Sequence, residues 1–170
     1  IYVTGNLGDS FVGLKVLQNK IRLNRNLADY FKKKYYSPIL HTSLTKELLS
    51  FANTSIDISD GLITDLEKLI NKQKLSFKIN LNDIPVSKNF NKLVHSKIIN
   101  KLYSVSRGDD YQILFTAPPS KSRIISKISK SLGIKISKIG KICPYSQKSQ
   151  IINEKNKQIA LKNKGYFHNF

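Results

Sequence analysis

Short runs of alternating apolar and polar residues recur along this chain, and stretches with a helical spacing of apolar residues separate most of them. The alternating runs are IYVTG (1–5), SIDIS (55–59), LSFKINL (75–81), YQILFTA (111–117) and IKISKIGKI (134–142). Alternation places successive side chains on opposite faces of a strand, whereas spacings of three and four residues give a helix one apolar face. The order strand, helices, strand, helix, strand, helix, strand, helix, strand predicts an α/β (α+β mixed) fold, with helices packed on one mixed sheet.

The helical segments lie between these strands. They are DSFVGLKVLQNK (9–20), NLADYFKKKYYS (26–37), LTKELLSFAN (44–53), DGLITDLEKLINKQ (60–73) and SKSRIISKISKSLG (120–133). We expect Asp9 or Ser10 to cap the first helix and Thr45 the third, because such side chains accept hydrogen bonds from unpaired N–H groups at helix N-termini. Gly133 is expected in the left-handed position that ends the last helix.

The remaining segments are less regular. Residues 82–106 predict a loop with one or two short helices, and residues 145–170 predict a tail with a small hairpin and an aromatic end. A chain of 170 residues with 40% apolar residues can bury a real core, so we expect residues 1–170 to form a single domain.

The charge of the chain is strongly basic. The formal net charge is +18, and it comes from 25 lysines and only four arginines, at positions 22, 25, 107 and 123. Surfaces that read bases or clamp phosphates favour arginine with interleaved aromatic residues, whereas these lysines are spread along the chain. Coding bias therefore accounts for the charge better than a nucleic-acid site, and an RNA-binding module stays as an alternative reading.

The composition also restricts the class of protein. No run approaches the 18 apolar residues of a membrane span, and the first residues show no signal-peptide pattern. The single cysteine, Cys143, excludes an internal disulfide and a cysteine-rich metal site. We therefore expect a cytoplasmic protein with no membrane partner. Because the chain contains no methionine, even at position 1, we also expect an N-terminal segment to precede residue 1 in the parent protein.

Two acidic clusters stand out in a chain with only 11 acids. Asp57, Ser59 and Asp60 lie where a predicted strand becomes a helix, with Gly61 next to them. Carboxylates and a hydroxyl at such a junction suit a hard cation such as Mg²⁺, which prefers oxygen ligands and often bridges to phosphate. The alternative is that Asp60 is a helix cap and Asp57 a loop carboxylate, and the spacing leaves both open.

The second cluster is Asp109 and Asp110, which follow Arg107 and Gly108. Taken alone it is typical of a turn. The glycine-rich stretch TGNLGDSFVG (4–13) precedes a predicted helix and is a weak phosphate motif, because it lacks the lysine and hydroxyl residue of a P-loop.

Read in order, four segments resemble the thiamine-monophosphate kinase family, which belongs to the aminoimidazole ribonucleotide synthetase-like superfamily. They are VTGNLGDSFVGL (3–14), SIDISDGLITDL (55–66), RGDDYQILFT (107–116) and GYFHNF (165–170). The resemblance covers essentially the whole chain but only the C-terminal part of the family's protein. It implies the C-terminal domain fold of that superfamily and an enzyme that uses ATP to convert thiamine monophosphate to thiamine diphosphate.

The resemblance also implies site residues. Asp57 and Asp60 would bind Mg²⁺, Ser59 would contact the nucleotide, and Asp109 would contact the thiamine substrate. The aromatic residue of the terminal signature would lie near the substrate ring, and Tyr166 matches it, with Phe167 as the alternative register.

This chain departs from the family's pattern at several positions. The family has Gly-Gly-Glu-Asp-Tyr-Glu where residues 107–112 read RGDDYQ, so Arg107 replaces a glycine and Asp109 replaces a glutamate. The family's N-terminal domain supplies most metal ligands, much of the ATP site and the dimer contacts. Its absence predicts little kinase activity for this chain alone, and a homodimer only for the full-length protein. Alternatives are another ATP-using superfamily member, of the hydrogenase-maturation or selenophosphate type, and an inactive remnant of a split gene.

Overall fold

The computed structural model of the chain describes residues 1–70 and 73–160. The strands are β1 (Tyr2–Thr4), β2 (Thr54–Asp57), β3 (Leu75–Asn80), β4 (Ile113–Thr116), β5 (Ile136–Lys138), β6 (Gly140–Pro144) and β7 (Gln150–Ile152). The α-helices are α1 (Asp9–Leu17), α2 (Arg25–Tyr36), α3 (Thr45–Phe51), α4 (Leu62–Leu69), α5 (Lys88–His95), α6 (Lys101–Val105) and α7 (Ser122–Leu132). Short 3₁₀ helices cover Thr42–Leu44, Leu81–Asp83 and Pro119–Lys121.

The strands form two sheets. The first has the order β2-β4-β1-β5 and is antiparallel throughout, with Tyr2 opposite Phe115 and Val3 opposite Leu114. The second has the order β6-β3-β7, in which β3 runs antiparallel to β6 and parallel to β7. The mixed α/β class with helices packed on sheet is therefore confirmed.

The prediction of a single sheet is wrong, because the alternating run 134–142 contributes to both sheets. Ile139 alone separates β5 from β6. Its N–H donates to the carbonyl of Ile1 at 2.9 Å, and its carbonyl accepts from the N–H of Asn80 at 3.0 Å. The side chain of Ile139 is fully buried. One residue thus joins the two sheets without interrupting the alternation that the sequence shows.

Apolar side chains cover both faces of the first sheet. On one face Tyr2 and Phe115 stack with ring centroids 5.3 Å apart, and they pack with residues of α3 and α7. On the other face Val3 and Leu114 are fully buried in a larger core, which also contains residues of α1, α4 and β3. Each buried aliphatic or aromatic side chain contributes about 1.5–3 kcal/mol by leaving water. The first sheet is therefore held between a small helical layer and the main core.

The helix ends agree with the sequence only in part. Gly133 ends α7 in the left-handed conformation, with φ 64°, as predicted. Gly8 rather than Asp9 or Ser10 precedes α1, because the Asp9 side chain binds residues far along the chain. Thr45 does not cap α3 either, since its hydroxyl donates to the carbonyl of Thr42 at 2.7 Å inside a 3₁₀ turn.

At the C-terminal side, a turn follows β7 and brings Gln158 to a bridge with Ile152. The predicted aromatic end of the tail lies outside the described residues. Within residues 1–70 and 73–160, no helix has the length and apolar character needed to cross a membrane.

Candidate functional site

The two acidic clusters lie side by side, because backbone hydrogen bonds join the segments that carry them. Beyond the paired part of β2 and β4, Ile58 donates to the carbonyl of Gln112 at 2.8 Å and Tyr111 donates to the carbonyl of Ile58 at 2.9 Å. Asp109 donates to the carbonyl of Ser59 at 3.0 Å. We call this contact of residues 58–61 with 106–111 the junction. It fixes Ser59 and Asp60 next to Asp109.

Two glycines allow the backbones of the junction to approach this closely. A Cβ atom on Gly108 would lie 1.7 Å from the carbonyl oxygen of Ser59, and one on Gly61 would lie 2.2 Å from that of Ser106. Gly61 also has a φ of 119°, which side-chain-bearing residues rarely adopt. The junction therefore requires glycine at both positions.

A cavity of about 600 Å³ opens at the junction. Its lining comes from both acidic segments, from α1 and from α6: Phe11, Leu14, Lys15, Ser59, Asp60, Tyr103, Arg107, Gly108, Asp109 and Tyr111. Burial raises the pKa of the Asp109 carboxyl above its ordinary value, and the nearby charge of Asp60 raises it further. The structure thus brings together three of the residues predicted from sequence.

The other predicted site residues are not in that lining. Asp57 is exposed at the end of β2, opposite Ile113, and is not among the described residues that line the cavity. Tyr166 and Phe167 lie outside the described residues.

Sequence reasoning missed Asp65, which supports the junction from inside α4. The side chain is fully buried, and its Oδ2 accepts the N–H groups of Ser59, Asp60 and Gly61 at 3.0, 2.9 and 3.0 Å. These three successive N–H groups, all donating to one oxygen, fix the conformation of the turn that precedes α4. An acid in the first turn of a helix that follows Ser-Asp-Gly is the signal that could have identified it.

Lys68 connects Asp65 to Asp60. Its Nζ donates to Oδ1 of Asp65 at 2.9 Å and also to Oδ2 of Asp60. The hydrogen bonds to Asp60 and then Asp65 raise the pKa of the Lys68 ammonium above its ordinary value. A half-exposed cation is therefore held directly beside the predicted metal ligand.

A second buried carboxylate, Asp110, ties the glycine-rich turn at residues 5–8 to the junction. It accepts the N–H of Gly8 at 2.7 Å and that of Ser10 at 3.5 Å. Burial raises the pKa of Asp110 to about 8, and the nearby charges of Asp9 and Asp109 raise it as well, while the two backbone donors act in the opposite direction. Two of the N–H groups at this helix start, those of Gly8 and Ser10, are thus directed at Asp110.

Asp9 sits next to Asp110 in an equally buried position. Its carboxylate accepts the hydroxyl of Ser87 at 2.8 Å and the hydroxyl of Tyr30 at 2.9 Å. Burial raises the pKa of the Asp9 carboxyl above its ordinary value. These contacts join α1, α2 and the start of α5, so Asp9 acts in packing.

The donor set fits Mg²⁺ as one part of a site. Within the described ranges, no group of three or more histidine, cysteine, aspartate or glutamate side chains could hold a metal ion. Mg²⁺, however, often takes one or two carboxylates together with water and substrate phosphate. Asp57 and Asp60 are the carboxylates predicted for this role, of which only Asp60 lines the cavity, and the remaining ligands would have to come from elsewhere.

Comparison with known proteins finds relatives for the chain among curated proteins and solved structures. No family model matches the chain. The thiamine-monophosphate kinase of Buchnera aphidicola subsp. Acyrthosiphon pisum (strain APS) is 36% identical over 173 residues, which cover 99% of this chain and 52% of that protein. That of Escherichia coli (strain K12) is 31% identical over 169 residues, covering 99% of this chain and 51% of that protein. The chain is homologous to thiamine-monophosphate kinases.

The chain spans about half the length of the curated relatives it matches, and this half is their C-terminal part. Solved structures agree on the fold. The thiamine-monophosphate kinase from Stenotrophomonas maltophilia K279a superposes with a TM-score of 0.77 at 22% identity, over 90% of this chain and 49% of that one. AaThiL complexed with AMPPCP and TMP gives 0.75 at 24% identity, over 98% and 50%.

A more distant structure shares the same architecture. Escherichia coli HypE, a hydrogenase maturation protein, gives a TM-score of 0.63 at 12% identity, over 99% of this chain and 50% of that one. Likenesses at these identities show a shared fold alone.

Proposed function

We propose that this chain is the C-terminal part of a thiamine-phosphate kinase, which transfers the terminal phosphoryl group of ATP to thiamine monophosphate and so produces thiamine diphosphate. The observation that carries the proposal is the junction, which lines one cavity with Ser59, Asp60 and Asp109. The homology to thiamine-monophosphate kinases supports the reaction, and the AMPPCP and TMP in the AaThiL complex support the two substrates.

In this proposal each site residue has a role. Asp57 and Asp60 bind Mg²⁺, and Ser59 contacts the nucleotide. Asp109 contacts the thiamine substrate, and Tyr166 or Phe167 lies near its ring. Phosphoryl transfer depends on positioning and on neutralising the charge of the phosphates, and a bound Mg²⁺ supplies that charge.

The remaining ligands come from an N-terminal half, carried on the same parent chain or on a separate one. We infer that the full-length protein is a homodimer that acts in the cytoplasm. Two carboxylates and a hydroxyl cannot position both substrates alone, so this chain has little or no kinase activity by itself.

Sequence similarity favours this reaction over that of the hydrogenase maturation protein. The kinases are 36% and 31% identical to the chain, whereas HypE is 12% identical and shares the fold.

The test is reconstitution. The chain is mixed with the N-terminal half of a thiamine-monophosphate kinase, and ATP-dependent formation of thiamine diphosphate is measured with Mg²⁺. We expect product from the mixture, and none after Asp57→Ala or Asp60→Ala. Asp29→Ala is the matched control, because Asp29 is an exposed acid on α2 and its loss should leave turnover unchanged.

Two outcomes would contradict parts of the proposal. Full turnover of both Asp57→Ala and Asp60→Ala would overturn the metal assignment. A mixture that binds neither AMPPCP nor thiamine monophosphate in a calorimetric titration would overturn the reaction itself.

A further inference from the structure

The backbone of the turn that presents Ser59 and Asp60 is held by a side chain of the helix that follows it. Asp65, one helical turn further along, accepts all three consecutive N–H groups of residues 59–61 on a single oxygen. Its side chain is fully buried, so water does not compete for these bonds. The proposed binding of metal and substrates gives this carboxylate no role.

We propose that Asp65 is the positioning residue of the metal–phosphate site, and that Lys68, held by Asp65, is a resident cation that a metal ion must compete with at Asp60. This inference rests on the proposed function, since it concerns the same site. It assigns two residues of α4 to a site that otherwise consists of strand ends and loops.

The positioning part follows from the backbone. The N–H groups of the turn are directed at Asp65, and its other side faces residues 106–111. On that side the Ser59 carbonyl accepts from the N–H of Asp109, and Gly108 packs closely against the same carbonyl. Asp65 and the 107–111 segment therefore hold the turn from opposite sides. Loss of the Asp65 charge weakens three hydrogen bonds at once and loosens Ser59 and Asp60 together.

The competing-cation part follows from the charges. The Lys68 ammonium reaches Asp60 on one side and Asp65 on the other. A divalent cation arriving at Asp60 meets a positive charge already placed on that carboxylate, so Lys68 lowers the affinity for metal. The side chain is half-exposed, so it has room to swing away when the metal arrives.

The experiment uses the full chain, labelled with ¹⁵N, and three variants: Asp65→Asn, Lys68→Met and Asp29→Asn. Asp29→Asn makes the same acid-to-amide change at an exposed position on α2. Two quantities are measured in each chain by nuclear magnetic resonance. One is the hydrogen exchange rate of the amides of residues 59–61, and the other is the Mn²⁺ concentration that broadens the signals of residues 57–61 by half.

We expect Asp65→Asn to speed exchange at these three amides at least tenfold while the amides of Leu114 and Phe115 in β4 keep their rates. It should also raise the Mn²⁺ midpoint at least fivefold. Lys68→Met should change the midpoint in the opposite direction, lowering it about threefold or more. Loss of an anion and loss of a cation beside Asp60 shift metal affinity in opposite directions by charge alone, so the exchange rates of residues 59–61 decide the positioning role. Asp29→Asn should change neither quantity.

Unchanged exchange at residues 59–61 in a folded Asp65→Asn chain would overturn the positioning role. An unchanged or higher midpoint in Lys68→Met would overturn the competing cation. If Asp65→Asn loses the signal dispersion of a folded protein, the Lys68→Met titration still decides the competing-cation part. Slow exchange of residues 59–61 that persists in Lys68→Met would then support Asp65 as the group that holds the turn, and exchange that becomes tenfold faster would overturn it. Wild-type signals that Mn²⁺ does not broaden locally would instead overturn the metal assignment, while the exchange rates still test whether Asp65 positions the turn.

Discussion

Asp65 and Asp110 are two buried carboxylates that each hold the turn before a helix, but the groups that replace their lost water differ. Each accepts backbone N–H groups next to a glycine that precedes a helix, Gly61 before α4 and Gly8 before α1. Asp65 has three such donors near 3.0 Å and the ammonium of Lys68. Asp110 has one donor at 2.7 Å and a second at 3.5 Å.

The charged groups around Asp110 differ in sign from the one beside Asp65. Asp9 and Asp109 are acids, and together with burial they raise the pKa of Asp110 to about 8. A buried carboxylate is stable as an anion only where enough donors or a cation replace its water shell. One turn is therefore held by a carboxylate with three backbone donors and an ammonium beside it, whereas the other is held by a carboxyl whose pKa of about 8 favours a bound proton near neutral pH.

The largest effect is expected where the junction leaves no space. Gly108→Ala would place a Cβ atom 1.7 Å from the carbonyl oxygen of Ser59, so it should separate the two acidic segments and cost about 3 kcal/mol of folding free energy. Urea denaturation measures this cost.

The matched control for that change is Gly133→Ala. Gly133 has a positive φ of 64°, but a Cβ atom there meets nothing within 4 Å. Only the left-handed conformation is strained, so the expected cost is about 1 kcal/mol. Equal costs for the two variants would mean that the backbones of residues 59 and 108 can move apart to accommodate a methyl group.

The next effect tests the proton on Asp110. Because its pKa in the folded chain lies above the ordinary value of 3.8, the folded state binds more protons between those two values, and stability falls as pH rises from about 4 to about 8. Asp110→Asn keeps an acceptor for Gly8 and removes the titration. Between pH 6.5 and pH 9 we expect the wild-type chain to lose about 2 kcal/mol more stability than this variant.

Thermal unfolding across that pH range measures the difference, with Asp29→Asn as the control for an exposed acid. Parallel stability profiles for the wild type and Asp110→Asn would show that Asp110 does not bind a proton in the folded chain over this range.

A smaller effect is expected at Ser87, which supports the same buried region. Its hydroxyl accepts the N–H of Phe90 at 3.0 Å as the cap of α5 and donates to Asp9 at 2.8 Å. Ser87→Ala removes both bonds and should cost about 1.5 kcal/mol in urea denaturation. Asn24→Ala removes only the cap of α2 and should cost about 1 kcal/mol. A smaller cost for Ser87→Ala would indicate that the bond to Asp9 does not stabilise the fold.

The smallest effect concerns the second donor to Asp9. Tyr30→Phe keeps the ring, which contacts Phe31 edge-on at 5.0 Å, and removes the hydroxyl that donates to Asp9 at 2.9 Å. We expect a loss of about 1 kcal/mol, measured by thermal unfolding at neutral pH. Tyr145→Phe at an exposed position should have no measurable effect, and a similar loss there would remove the role of the Asp9 contact.

Periodicity predicted the regular elements well, because core packing imposes it directly on the sequence. The stripe of α4, with Leu62, Leu66 and Leu69, is buried as its spacing predicts. The alternation of 134–142, by contrast, could not show that β5 and β6 belong to different sheets, since a change of partner at Ile139 leaves the order of apolar residues unaltered.

Of the site residues predicted from sequence, Ser59, Asp60 and Asp109 line the cavity, Asp57 does not, and Tyr166 lies outside the described residues. Ser59, Asp60 and Asp109 came from a known motif, and the structure brings them together. Asp65 was not singled out, and Asp110 was noted only as one acid of a turn, because their contacts depend on how the chain folds back on itself. An acid inside a helix normally indicates the solvated face, and an acid in a turn normally indicates exposure, yet both side chains are buried.

The position of β1 has a consequence for how the chain folds. This first strand lies between β4 and β5, with Tyr2 opposite both Phe115 and Lys138. Neither partner has been synthesised until more than a hundred residues follow β1, and closing so long a loop costs entropy before any pairing compensates for it. During translation, β1 therefore stays unpaired until β4 and β5 have been synthesised. The sheet that carries the junction forms late, as a single non-local event.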